Sequence, residues 1–496
     1  MRRGSLLLAL LLAVAACPGG DAGLGDTCSD TSDCGSKLQC VAGTCAPLCK
    51  RAPECGDGYA CVDKLCVLAT GQVGDACHSE VDCAAGLACE LAPMTNDAGQ
   101  LVSSCVTTTA GRPAGAMCTA DTDCRNNLCA LGRCIDLCSD TLDCGTGTSC
   151  AAIPRVEAHG AMFQGCLQES GVLAWPLPID GTSNEVQLPI PDSALSVTVT
   201  MTVDDANQKV GATHVTSPGG TTLLDYDHDY YADPVRHRPD FAQSMLAMPS
   251  TPDVTLMPGA YTVDIKSLKP PFTITSVGTA TPTAIAVLKL GKGVILDLHF
   301  YFLDFDEFPC AAAFNNTTFN ASTASTASFF QNDFVGMTRQ IFANNGVALG
   351  TLTYEDLLES PDLDGLDVTN APSLLSLGKH ATGINVFFVR SLSPVGLQAF
   401  GPNPGPAGLS QTAASGVVVA LDTLCYRSWG ELARLTSHEL ARYMGLYDNI
   451  ELEPSRTDPI QDSDYSSSNL MFYSELGGTD LSAGQRDILK RSGVLR

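Results

Sequence analysis

The chain has 496 residues, of which 45% are hydrophobic and 17% charged, and its formal net charge at pH 7 is -26. This length exceeds what a single hydrophobic core usually serves, so we expect several folded regions. The negative balance leaves no basic surface for a polyanion, which excludes nucleic acid as an expected partner.

The amino-terminal segment has the layout of an export signal. Two arginines follow the first methionine, the apolar stretch from Leu6 to Leu12 is too short to cross a bilayer, and small residues come next. Because Val14-Ala15-Ala16 leads into Cys17, the segment resembles a bacterial lipobox, which implies cleavage before Cys17 and lipid on its thiol. We predict a signal peptide over residues 1–16 and a linker over 17–27. Secretion without lipid is the alternative.

The cysteines fit an oxidising compartment. Setting Cys17 aside leaves 22 of the 23 cysteines, an even number, as expected when all thiols pair. Twenty of them form five successive quartets between residues 28 and 166, and every quartet opens with the spacing C-x5-C. The quartets are 28/34/40/45, 49/55/61/66, 77/83/89/105, 118/124/129/134 and 138/144/150/166.

This internal repeat resembles the Dickkopf-type cysteine-rich module of exported proteins in its spacing. Each unit has too few apolar residues for a core, so two disulfides, each contributing about 2–4 kcal/mol, must stabilise it. Zinc binding by these cysteines is the alternative, but the spacing differs from that of zinc knuckles. We expect a spacer or a contact surface, and the spacing leaves the disulfide connectivity open.

Cysteines are absent from residues 172–285, and short β-rich runs separated by Gly/Pro turns take their place. Leu195 to Met201 and Ala260 to Ile265 are the clearest strands. This pattern predicts an antiparallel β-sandwich.

Residues 290–496 alternate strands and helices, which predicts an α/β (α+β) domain. We expect strands over Val294–Leu303, Gly346–Tyr354, Ile384–Val389 and Gly416–Leu421, and helices over Phe330–Asn344 and Gly430–Met444. Of the two cysteines outside the repeats, Cys310 follows the first of these strands and Cys425 precedes the last helix, and we expect a structural disulfide between them rather than reactive thiols.

The last of these helices carries His438-Glu439 and continues through Gly445 to Asp448. This text resembles the zinc-binding motif of the metzincin peptidases, HExxHxxGxxH/D, of the astacin-like and pappalysin-like kind. The resemblance implies that His438 and Asp448 are metal ligands and that Glu439 activates water. Gly445 would turn the chain back after the helix.

A second likeness lies downstream, in Ser468-Asn469-Leu470-Met471-Phe472-Tyr473. It resembles the methionine turn under the metal of these enzymes, with Met471 as the structural residue. By the same resemblance, Tyr473 would stabilise an oxyanion. In the family order of elements, Ile384–Val389 would be the edge strand of the sheet.

The sequence departs from the family at Arg442, where the second zinc histidine belongs. A guanidinium has no lone pair to offer a metal. We expect Arg442 to occupy the metal's place and to pair with Asp448 or Glu439. By the layout of the resembled family, His299 and His380 would not reach the helix to substitute as ligands. The expected cofactor is therefore zinc if the enzyme is active, and the alternative is that no cofactor binds.

Three functions remain open for this chain. The preferred one is a membrane-anchored pseudopeptidase of the cell envelope, facing away from the cytoplasm, that binds a peptide or protein. The second is an active zinc-dependent metalloendopeptidase with altered ligands. The third is adhesion or scaffolding through the cysteine-rich repeats.

We predict that the mature protein begins at Cys17 and carries lipid there, so that Cys17→Ser should abolish this processing and release the protein from the membrane fraction. Intact-mass analysis of both forms is the measurement. Unchanged mass and unchanged membrane retention of the variant would contradict the prediction.

Overall fold

The computed structural model describes residues 20, 22, 26–36, 38–41, 43–226, 234–237, 239, 242–303, 310–358, 363, 365–407, 412, 414–450, 457–474 and 477–496. The predicted signal peptide and Cys17 lie outside the described residues. Within these ranges, no helix combines the length and apolarity needed to cross a membrane.

The amino-terminal part is a disulfide-rich array in which each cysteine quartet builds one β-hairpin. The hairpins pair β1 (Leu38–Val41) with β2 (Thr44–Pro47), β3 (Tyr59–Val62) with β4 (Leu65–Leu68), β5 (Leu87–Leu91) with β6 (Ser103–Thr107), β7 (Cys129–Ala130) with β8 (Arg133–Cys134), and β9 (Thr148–Arg155) with β10 (Ala161–Gln168). In each hairpin the third and fourth cysteines lie directly opposite one another.

The disulfides confirm that pairing stays within the repeats. In every quartet the first cysteine bonds to the third and the second to the fourth, a connectivity that the spacing had left open. The bonds join residues 28 and 40, 34 and 45, 49 and 61, 55 and 66, 77 and 89, 83 and 105, 118 and 129, 124 and 134, 138 and 150, and 144 and 166.

The acidic residue before each second cysteine explains the recurring text of the repeats. Its carboxylate accepts from the backbone N–H four residues earlier, which closes the turn between the first two cysteines. These bonds are 2.7–2.8 Å at Asp33, Glu54, Asp82, Asp123 and Asp143. In the first four repeats the same turn contains a 3-10 helix: Thr31–Asp33, Ala52–Glu54, Glu80–Asp82 and Asp121–Asp123.

The array folds back on itself, so that distant repeats touch. Arg51 of the second repeat donates through Nη1 to the carbonyls of Gly145 and Thr148 in the fifth, each at 2.7 Å. Glu80 of the third repeat accepts from Asn126 of the fourth at 2.9 Å. The second repeat therefore contacts the fifth, and the third contacts the fourth.

A sheet-rich region follows, with two antiparallel sheets that share one hydrophobic core. Its strands are β11 (Gly171–Pro176), β12 (Ser183–Ile190), β13 (Ala194–Thr202), β14 (Lys209–Thr216), β15 (Thr222–Asp225), β16 (Arg236–His237), β17 (Gln243–Met248), β18 (Gly259–Leu268) and β19 (Thr283–Leu290). The five-stranded sheet has the order β11-β19-β13-β17-β16, and the four-stranded sheet β12-β18-β14-β15. In β18 buried and partly buried residues alternate, the pattern of a strand with one face on a core.

The carboxy-terminal part contains a five-stranded sheet with the order β21-β20-β23-β26-β25. Neighbouring strands are parallel except β25, which is antiparallel to β26. The strands of this part are β20 (Ile295–Leu303), β21 (Ala348–Leu357), β22 (Gly365–Asp367), β23 (Ile384–Val389), β24 (Ser391–Ser393), β25 (Ala399–Phe400) and β26 (Val417–Ala420).

Helices pack against this sheet around an aromatic core that includes Phe300, Phe330, Phe388 and Trp429. They are α1 (Ala321–Ala324), α2 (Gly336–Asn344) with a π-helical stretch before it (Phe329–Val335), α3 (Ala371–Leu375), α4 (Trp429–Tyr443) and α5 (Ala483–Lys490). Short 3-10 helices cover Val156–Ala158, Ala311–Phe314, Val368–Asn370 and Leu421–Cys425.

The prediction that Ile384–Val389 forms the edge strand is wrong. This segment, β23, lies between β20 and β26, and all six of its residues are buried. A continuous apolar run is typical of a strand covered on both faces. The edge strand beside α4 is β25, whose two residues are too few to give a sequence pattern.

The fold buries a lysine where the carboxy-terminal tail meets the sheet-rich region. Lys289 of β19 has no exposed surface, and its Nζ donates to the carbonyl of Leu495. Burial lowers the pKa of Lys289 to about 8.

We predict a pH-dependent stability difference between the wild type and Lys289→Met. Between pH 8 and 10.5 the unfolded lysine keeps its proton while the folded one has released it, so raising the pH favours the folded state. The free energy of unfolding of the wild type, relative to the variant, should rise by about 1–3 kcal/mol across this window. Denaturant titrations at both ends measure it, with Lys292→Met, an exposed lysine, as the control. Parallel pH profiles of wild type and Lys289→Met would contradict the prediction.

Candidate functional site

The candidate site is built on α4. The helix begins with a reciprocal cap: Ser428 Oγ accepts from the Glu431 N–H at 3.2 Å, and the Glu431 carboxylate accepts from the Ser428 N–H at 2.8 Å. At its end Gly445 has φ +106°, a conformation that glycine adopts without strain. The turn at Gly445 reverses the chain, which brings Asp448 back to the helix.

His438 is buried and oriented by the methionine turn. Its Nδ1 lies 2.8 Å from the carbonyl oxygen of Leu470, so Nδ1–H donates to that oxygen. Its Nε2 then faces the carboxylate of Asp448, with 3.3 Å between Nε2 and Oδ1. The structure therefore brings together two of the residues predicted as metal ligands.

Arg442 pairs with the same carboxylate. Its Nη1 donates to Asp448 Oδ2 at 3.1 Å, and the Asp448 side chain is only 6% exposed. Burial alone would raise the pKa of Asp448, but the hydrogen bond with His438 and the charge of Arg442 outweigh it and hold the pKa below its usual value. Asp448 is thus an ionised carboxylate between an imidazole and a guanidinium.

Glu439 lies on α4 between these two groups and is partly buried. Burial raises its pKa, against the opposing charges of Arg442 and His438. A methyl group in place of the Gly401 hydrogen would lie 3.8 Å from Glu439 Oε2, so this carboxylate lies next to the residue that follows β25. The edge strand and Glu439 are therefore neighbours.

Arg434 is a site residue that the sequence analysis missed. Its guanidinium, buried beneath the methionine turn, donates to the carbonyls of Leu470 at 3.0 Å, Ser474 at 3.1 Å and Gly478 at 3.1 Å. Because Arg434, His438 and Arg442 follow at intervals of four, they lie in one row along the helix. The position of Arg434, four residues before His438, was the signal available in the sequence.

Met471 and Tyr473, the two residues predicted for the turn, differ in burial and in contacts. Met471 is completely buried, and its backbone N–H donates to the side chain of Asn469 at 2.8 Å. Tyr473 is 42% exposed and packs its ring on Phe472, with 4.8 Å between centroids. Among the contacts of the described residues, Tyr473 has none with His438, Glu439 or Asp448.

A second arginine missed from the sequence enters from the sheet-rich region. Arg236 of β16 is 3% exposed, and its guanidinium carbon lies 3.5 Å from the centroid of the Tyr447 ring. It also donates through Nη2 to the side chain of Asn403. Burial lowers the pKa of Arg236 to about 10, against the opposing effects of Tyr447 and Asp448. Nothing in the local sequence indicated this contact, because it joins residues 211 positions apart, 236 and 447.

His299 and His380 contact each other and residues outside the site on α4. Their rings stack with 3.7 Å between centroids, and His299 contacts the Thr353 hydroxyl at 2.9 Å and the Thr382 carbonyl at 2.8 Å. His380 Nε2 lies 2.5 Å from the carboxylate of Glu355. These partners belong to β21 and to the approach to β23, not to α4.

The residues present do not fit a catalytic zinc, which takes three protein ligands and one water. His438 and Asp448 offer two ligand groups, and the guanidinium of Arg442 stands where the third belongs. Among the described residues, the only groups of three or more closely spaced metal-ligating side chains are cysteines of the repeats, all of them in disulfides. Cys310 and Cys425 are also joined in a disulfide.

Comparison of the chain with protein-family models and with curated proteins finds no match.

We predict that Arg442→Ala destabilises the protein by about 1–3 kcal/mol, because it leaves the buried carboxylate of Asp448 without its guanidinium. Asp448→Asn should also destabilise it, and the double variant should lose less than the sum of the two. Denaturant titrations at neutral pH measure the three values. Arg339→Ala, at an exposed position, is the control and should change stability by less than about 0.5 kcal/mol. Additive effects of the two substitutions would show that the pair does not interact.

Proposed function

We propose that this chain is a lipid-anchored, exported pseudopeptidase: a metzincin-like domain behind a β-sandwich and a cysteine-rich array, which binds a peptide or protein without hydrolysing it. The observation that carries the proposal is the contact between Arg442 and Asp448. A protein side chain occupies the charge-balancing position that a metal dication holds in the resembled family.

The order of elements supports the metzincin-like part of the proposal. A parallel strand, a helix and further parallel strands precede α4, and the buried Met471 turn and α5 follow it. The Leu470 carbonyl on this turn contacts the motif histidine, so the turn lies beneath the site. Two antiparallel sheets on a common core support the sandwich.

Loss of hydrolysis follows from the chemistry of the remaining groups. A peptidase of this kind must lower the pKa of a water and polarise a carbonyl, and a metal held by three ligands does both. Glu439 remains, but a carboxylate can take a proton only from a water that is activated for attack, and two ligand groups do not supply the metal that activates it. Tyr473 makes none of the contacts that an oxyanion donor beside Glu439 would need.

Peptide binding does not require an activated water, and the edge strand β25 offers a surface to which a peptide can bind. β25 is an edge strand that pairs only with β26 in its sheet, and an extended peptide can add to such an edge through main-chain hydrogen bonds. Glu439 lies beside the end of this strand and offers a carboxyl group to a bound chain. We therefore place the ligand along β25.

The disulfides support the proposed location. Ten bonds within the repeats, with first-to-third and second-to-fourth pairing, persist only where thiols are kept oxidised. This agrees with residence in the cell envelope beyond the cytoplasmic membrane. Lipid on Cys17 would hold the array at the membrane surface.

We predict that the purified wild type contains well under one zinc per chain and that Arg442→His binds roughly one, because the substitution supplies the missing imidazole one helical turn from His438. Atomic absorption after dialysis against zinc measures both, with His438→Ala/Arg442→His as the matched control that should lose the metal. Stoichiometric zinc in the wild type, with peptide cleavage abolished by Glu439→Gln, would instead establish the active metallopeptidase.

A further inference from the structure

The second cysteine-rich repeat carries exposed apolar side chains close together. Val62 and Val67 of its hairpin are 50% and 47% exposed, and Leu48, which immediately precedes the repeat, is 51% exposed. Single exposed apolar residues are ordinary on a soluble protein, but a contiguous group marks a surface that contacts a partner or a membrane. The register of the strands decides whether these three residues form one group.

That register places them on one face. Leu48 lies opposite Leu65, Leu65 lies opposite Val62, and two residues further along the same face Val67 lies opposite Ala60. We call these five residues the hairpin patch. The third and fourth cysteines of the repeat point to the other face, where their disulfides join them to the first and second. The hairpin patch is therefore the open face of a hairpin whose opposite face is covered by the disulfides.

The predicted lipid anchor lies close to this surface, because the chain is fixed soon after Cys17. A methyl group in place of the Gly20 hydrogen would lie 1.8 Å from the carbonyl oxygen of Asp33, so Gly20 lies directly against the first repeat. The N–H of Ala22 donates to the same carbonyl at 3.2 Å, and the carbonyl of Ala22 accepts from Gly35 at 2.8 Å. Three residues of extended chain, from 17 to 20, reach about 11 Å at most.

The second repeat adjoins the first, so it shares this short distance from the anchor. Besides the pairing of Leu48 with Leu65, the Cys49 N–H donates to the Lys64 carbonyl at 2.9 Å, which joins the end of the first repeat to the hairpin of the second. A lipid on Cys17 would thus hold the hairpin patch one small repeat away from the bilayer.

The charge of the second repeat permits this approach. Residues 49–66 contain three basic and three acidic residues, whereas the whole chain has a formal net charge of -26. An anionic lipid surface repels acidic protein and attracts nearby lysines. Lys64, in the turn between Val62 and Leu65, and Lys50, two residues after Leu48, are both exposed beside the hairpin patch.

We propose that the hairpin patch rests on the lipid bilayer that holds the anchor, with its apolar side chains at the boundary between headgroups and acyl chains. This inference rests on the proposed lipid at Cys17, which brings a bilayer to the patch without any further partner. The contact fixes the orientation of the anchored array, because a single tether alone leaves the array free to rotate about it.

Tryptophan emission of the full-length, lipidated protein on vesicles tests the proposal. Vesicles of phosphatidylcholine and phosphatidylglycerol are prepared with and without bromine on the acyl chains, which quenches an indole on contact. The native Trp175 and Trp429 are buried and supply a constant background. We expect the emission gained in Val67→Trp to be largely lost in brominated vesicles. The emission gained in Met117→Trp, at a 65% exposed position of the fourth repeat, should be retained.

Flotation of the protein with the vesicles separates failure of this inference from failure of the anchor. Wild type that floats, without quenching in Val67→Trp, would overturn the contact and leave the anchor in place, whereas wild type that does not float would overturn both. Equal quenching of Val67→Trp and Met117→Trp would also overturn the contact. Leu48→Trp, at the other end of the hairpin patch, covers the case in which Val67→Trp does not fold. A dimer in detergent that Val62→Ser dissociates would assign the patch to a second copy and overturn the proposal.

Discussion

The arrangement of the carboxy-terminal site depends on balancing the charge of the buried Asp448 carboxylate. A carboxylate in this position must be protonated, coordinate a metal or face a cation, because its charge is not otherwise balanced. Here it faces His438 Nε2 at 3.3 Å and Arg442 Nη1 at 3.1 Å. The helix supplies both groups one turn apart, and Gly445 supplies the reversal that brings the carboxylate to them. The charge of this buried carboxylate is thus balanced by side chains of the same helix.

The same helix also holds the turn beneath the site. The carbonyl of Leu470, on this turn, accepts hydrogen bonds from both Arg434 and His438 of α4. This double contact couples the orientation of the imidazole to the position of the Met471 turn. The guanidinium of Arg434 bonds the backbone of this turn directly, so the turn is held beneath His438 by α4 itself.

The sheet-rich region takes part in the site and is not a separate spacer. Arg236 of β16 stacks on Tyr447, the residue before Asp448, and Lys289 of β19 holds the carbonyl of Leu495. Both are buried cations donated by this region to the carboxy-terminal part. Both cations are costly to desolvate, so polar contacts as well as apolar packing join the two parts.

The sequence by itself determined the parts that depend on local pattern. Cysteine spacing specified the repeats, and local periodicity specified the strands β20 and β23 and the helix α4. Long-range order was decided only by the tertiary structure: the disulfide connectivity, the place of β23 inside the sheet, and the two-residue edge strand β25. The stacking of Arg236 on Tyr447 and the hydrogen bonds of Arg434 to the Met471 turn were also decided by the tertiary structure. Such contacts join residues far apart in the chain, and they depend on how the elements pack, which no local periodicity encodes.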